Sequence, residues 1–130
     1  MVVPLGRRLM AAEEPILEQH GLTMWAYVVL SALVDRDAPT QAKLASVIGA
    51  DKTRIIGVLD ALQEGGLIER RPDPSDRRAY VLSITAAGRR RHAAAQADIQ
   101  RGEERWLGRL AEADRAPFLA ALQTLARRDD

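Results

Sequence analysis

Between Thr40 and Ile84 the apolar pattern changes period once, and that change constrains the fold more than any other feature of the chain. Thr40 precedes Leu44, Ala45 and Ile48 at helical spacing, and Gly49 closes that short helix. Asp51 precedes a second helix, with Ile55, Val58, Leu59 and Leu62 facing inward, that runs to Gly65-Gly66. Thr and Asp suit these two starts because their side-chain oxygens accept the unpaired N–H groups of a first helical turn. Two short helices joined across a glycine make a helix-turn-helix. Period two then takes over. Leu67 to Arg71 and Tyr80 to Ile84 read as strands, separated by Pro72 to Ala79, a stretch dense in turn formers. A hairpin with a long tip directly behind a helix-turn-helix is a wing.

The flanks read as helix. Residues 5–20 carry Leu9, Ile16 and Leu17 as apolar points, with a kink or break expected at Pro15 and an end at Gly21. Leu22 to Asp35 follows, capped by Thr23, with Ala26, Tyr27, Leu30, Leu33 and Val34 on one stripe. Asp37-Ala38-Pro39 reads as a turn. Thr85 caps a long helix carrying Ala95, Ile99, Gly102, Trp106 and Leu110, and a break near Glu112–Asp114 leads to a last helix with Phe118, Leu119, Leu122 and Leu125. The expected fold is mainly α with a small β-hairpin. A winged helix-turn-helix at 22–89 is flanked by dimerisation helices at 1–21 and 90–130. Residues 22–88 bury their own apolar faces, which leaves the terminal stripes without a partner in the chain. Leu9, Ile16, Leu17, Trp106, Leu110, Phe118 and Leu122 are therefore expected in a twofold interface, worth several kcal/mol if covered.

Charge is placed unevenly. The net charge is only +1, yet residues 52–91 carry 9 basic and 5 acidic side chains, while the segments on either side are slightly acidic. A localised basic region is what a phosphate backbone selects. Within it, Lys52, Thr53 and Arg54 follow the Asp51 cap of the second helix, the end that enters a major groove first and carries the positive pole of the helix dipole. Ile56 and Gly57 face outward one turn on, and Thr40 and Gln41 begin the preceding helix. Arg77 and Arg78 stand on the hairpin, with Asp76 expected to hold one guanidinium for a narrow minor groove. Double-stranded DNA is the partner this pattern suits.

Catalysis has little to work with. The chain has two histidines, His20 and His92, no cysteine, no glycine-rich phosphate loop and no His pair at metal spacing. Glu13-Glu14 and Glu103-Glu104 read as solvated helix surface. No enzyme activity, cofactor or metal site is expected. No apolar stretch approaches the ~18 residues needed to span a bilayer, so no membrane partner and a cytoplasmic location are expected. The competing reading, a winged domain used only for protein contacts, gives no reason for basic residues at both the helix start and the wing.

The residues also resemble a known family. Leu22-Thr23, Leu44-Ala45 with Ile48-Gly49, Leu62 with Gly66-Leu67-Ile68-Glu69-Arg70, and Asp73-Pro74 with Asp76-Arg77-Arg78, Leu82-Ser83-Ile84-Thr85 and Gly88 are similar to the MarR family of regulators. The resemblance implies a triangular homodimer with interlocked terminal helices and two winged domains on a pseudopalindrome, most often acting as a repressor. It also implies a pocket for a small aromatic or amphipathic ligand between the dimerisation and DNA-binding regions. His20, Trp25 and Tyr27 are the side chains considered for it, although Tyr27 suits a core position and His20 a helix end. Ile56-Gly57 departs from the polar pair that members often carry there. Base preference is therefore not transferable.

Overall fold

A computed structural model describes residues 1–36 and 39–127; the turn expected at Asp37-Ala38 lies outside the described residues. The order is α1 (Val2–Gln19), α2 (Met24–Val34), α3 (Gln41–Ile48), α4 (Lys52–Glu64), β1 (Ile68–Asp73), β2 (Asp76–Ile84), α5 (Ala86–Leu107) and α6 (Glu112–Ala126). The described residues form six helices and one two-stranded antiparallel sheet, as the change of period predicts.

Four helix starts are fixed by local chemistry. Thr23 accepts from the Ala26 N–H, Thr40 from Lys43, Asp51 from Arg54 and Thr85 from Gly88. Each bond satisfies one donor that the helix itself cannot. Gly49 ends α3 at φ 70°, a left-handed conformation that a Cβ disfavours, and so sets the sharp turn into α4.

Leu30, Leu33, Leu44, Ile55, Leu59, Ile68 and Leu82 are fully buried and lie where α2, α3, α4 and the hairpin converge. Thr40 bridges to Val81 on β2, and the Leu82 N–H donates to the Pro39 carbonyl at 2.9 Å, so the start of α3 is stitched to the wing. Helix α5 then passes behind α2 and α1. His92 is buried there, sharing a 2.9 Å hydrogen bond with Ser31 and stacking on Tyr27 with ring centroids 5.1 Å apart.

Several expectations need correction. Pro15 neither breaks α1 nor ends it: the helix is continuous from Val2 to Gln19. Packing of the next turn, where Leu17 enters the core, outweighs the one lost N–H. Leu17 is 1% exposed within a single chain, so it has no surface left for a twofold partner and belongs to the core. The hairpin is longer and its tip shorter than the turn formers suggest. Strand pairing continues through a register shift at Pro72/Asp73 to the Asp73–Asp76 pair, leaving only Pro74 and Ser75 between the strands. The break before the last helix falls at 108–111, ahead of Glu112.

Candidate nucleic-acid interface

The first turn of α4 contains Lys52, Thr53 and Arg54, all exposed, and no acidic residue. Positive charge at a helix N-terminus opposes the macrodipole, a cost that the Asp51 cap, worth about 1 kcal/mol, offsets. The same end, with free N–H groups and added cations, attracts phosphate. Ile56 and Gly57 are exposed on the next turn, and Ile56 leaves 46% of its surface open.

The wing lies beside this helix and is held to it. Arg70 on β1 donates through Nε to Gln63 of α4 at 2.7 Å and forms an ion pair with Asp60 on the same helix. At the tip, the Asp73 carboxylate accepts both the Ser75 N–H at 2.9 Å and the Ser75 hydroxyl at 2.7 Å, which lowers its pKa. Asp76 accepts the backbone N–H of Arg78 at 3.0 Å. The expected guanidinium contact is not formed, and no ion pair of Arg78 is found among the described residues. Asp76 thus shapes the chain at Arg78 and leaves the arginine head free.

Thr40 and Gln41 at the start of α3, Lys52 and Ile56 on α4, and Asp76 and Arg78 on the wing line one open groove of about 460 Å³. Six sequence candidates from three elements are brought together there. Thr53, Arg54, Gly57 and Arg77 are exposed but do not line it. Tyr80, 51% exposed and on the groove wall, was missed. Its position two residues along β2 from Arg78 is the signal that would have found it, because alternate strand residues share a face.

The three ligand candidates are not brought together. His20 caps the end of α1 and pairs with Asp98 of α5 at 2.6 Å. Tyr27 stacks on His92, and Trp25 lies under Arg54. Of the dimerisation candidates, Leu9, Ile16 and Trp106 line a groove of about 360 Å³ between α1 and α5. Trp106 also meets Phe118 at 6.0 Å, Leu110 is partly covered, and Leu122 is 45% exposed. In the same groove Glu13 has a raised pKa, first from burial and then from the charge of Glu103.

Two short helices crossing at a glycine turn, with a hairpin pinned to the second, define a winged helix-turn-helix, a DNA-binding class. Residues 22–80 match the sequence profile of the MarR family. A Thauera aromatica protein assigned to transcriptional regulation of the hcr operon is 31% identical over 88% of this chain and 69% of its own length. The repressor CouR bound to a 23-mer DNA duplex superposes with a TM-score of 0.85 and 29% identity, over 97% of this chain and 89% of that one. CouR from Rhodococcus jostii RHA1 bound to p-coumaroyl-CoA gives 0.79 and 28%, over 99% and 91%. The chain belongs to the MarR family, and it is a DNA-binding transcription regulator of that type.

Proposed function

We propose that the protein is a homodimeric repressor that binds a pseudopalindromic operator and is released from it by a small aromatic or amphipathic ligand. The observation that carries the DNA half of this reading is the single groove shared by Thr40, Gln41, Lys52, Ile56, Asp76 and Arg78. In this reading α4 enters the major groove, with Lys52 and Thr53 on phosphates, Arg54 on a phosphate or guanine, and Ile56 against a thymine methyl. Gly57 lets the helix approach the backbone, and Arg77 and Arg78 take the wing to the minor groove. Residues 22–89 are the DNA-binding unit, working in the cytoplasm.

Residues 1–21 and 90–130 form the twofold interface. Support comes from apolar side chains left open on the terminal helices: Val2, Val3, Leu5 and Met10 on α1, and Leu119, Leu122 and Leu125 on α6. The ligand half draws on the CouR complex with p-coumaroyl-CoA and on the aromatic pair Tyr27–His92 at the α2–α5 junction. Selection of bound sequences from a random duplex library tests the whole reading. It should return an inverted repeat whose half-sites are about one helical turn apart, bound by a species of twice 14.3 kDa in light scattering. A non-repeating site bound by a monomer contradicts it. Aromatic acids and their thioesters should include at least one compound that lowers operator affinity; none doing so removes the ligand half.

A further inference from the structure

Trp25 is the second residue of α2, and Arg54 stands in the first turn of α4. The guanidinium carbon of Arg54 lies over the Trp25 ring, 5.6 Å from its centroid. The nearest carboxylate in sequence, Asp51, accepts the Arg54 backbone N–H at 2.8 Å, and no ion pair of Arg54 is found among the described residues. The Arg54 head is thus held by a neutral, half-buried aromatic face and by no acidic group.

That choice has a chemical consequence. A free arginine loses more rotamer freedom on being fixed than almost any other side chain. A carboxylate would fix it by occupying its N–H donors and cancelling its charge. An indole face fixes it through the ring quadrupole and occupies none of the five donors. Residues two apart on a helix point to different sides, so Trp25 also faces away from the Tyr27–His92 pair.

We propose that Trp25 is a positioning residue for DNA binding: it holds Arg54 against the flank of the recognition helix with its donors free for a DNA acceptor. The proposal rests on the reading that the N-terminus of α4 meets DNA. Affinities of Trp25→Leu, Trp25→Phe, Arg54→Ala and the Trp25→Leu/Arg54→Ala double variant for the selected operator and for random duplex test it. Leu keeps the apolar bulk that the fold uses and removes the ring; Phe restores a ring.

Arg54→Ala should weaken operator binding at least about fivefold. Trp25→Leu should weaken it about three- to fivefold, Trp25→Phe should recover most of that, and the double variant should bind no worse than Arg54→Ala. Equal losses on random duplex would place Arg54 on phosphate, and losses confined to the operator would place it on a base. Wild-type affinity for Trp25→Leu, or the same loss when Arg54 is already alanine, overturns the proposal while the loss in Arg54→Ala leaves the reading of α4 standing. Wild-type affinity for Arg54→Ala overturns both.

Discussion

A Cβ on Gly88 would overlap the Leu67 carbonyl and stand 2.8 Å from Ile84 Cγ1, so the start of α5 can lie against the hairpin only with glycine there. Thr85 secures the same junction, capping Gly88 and donating its hydroxyl to the Gly66 carbonyl at 2.7 Å. Gly88→Ala should therefore cost about 1–3 kcal/mol, read as a lower midpoint in urea denaturation; an unchanged midpoint would mean the junction yields freely. His92 makes a second prediction at this scale. Burial lowers its pKa below the ordinary 6.5, against a smaller opposing effect of Asp35. The unfolded chain then binds a proton more readily than the folded one. Stability from this group is full above pH 6.5 and is lost as pH falls below it towards the folded value. Urea midpoints at pH 7.5 and 5.5 should differ more for the wild type than for His92→Gln; equal differences would mean that His92 is not the group responsible.

The wing and α4 are joined through Arg70, which meets both Gln63 and Asp60. A partly exposed pair of this kind adds about 1 kcal/mol to stability, and in the proposed reading it sets the angle between the two elements that meet DNA. Arg70→Met should leave the melting temperature within a few degrees of wild type while weakening operator binding severalfold in an anisotropy titration. Unchanged affinity would show that the strands alone orient the wing. At this scale it also becomes clear why some features are legible in the sequence and others are not. Thr23, Thr40, Asp51 and Thr85 announce their helices because a cap bonds within three residues. Arg70–Asp60, Trp25–Arg54 and His92–Ser31 join residues 10 or more apart, and nothing local marks them. Pro15 and Leu17 are misread for a related reason. A proline is a local signal, whereas the core that keeps α1 unbroken and takes up Leu17 is a tertiary one. The hairpin tip errs the other way, since Pro72 and Asp73 look like turn residues but sit in a strand that ends in a register shift. Basic residues on α4 and the wing are legible as a class, and of these the fold brings Lys52 and Arg78 to one groove while Arg54 and Arg77 lie outside it.

At the scale of the whole molecule, one groove is lined from α3, α4 and the wing, and apolar side chains are left open on α1 and α6. Covering Leu119, Leu122 and Leu125 in a twofold interface would bury three large side chains per chain, at about 25 cal/mol per Å². It would also set two winged units at a fixed spacing, so dimerisation and operator symmetry are one requirement. By this proposal the α4 start and the wing together form the DNA surface. This is tested most directly by operator affinity as a function of salt for the wild type, Lys52→Ala and Arg78→Ala. Lys52→Ala should lower affinity about equally on all sequences and flatten the slope of log affinity against log salt by ~1. Arg78→Ala should cost about 1–3 kcal/mol, with the larger loss on sites flanked by A·T pairs. Wild-type affinity for both variants at every salt concentration would contradict the account.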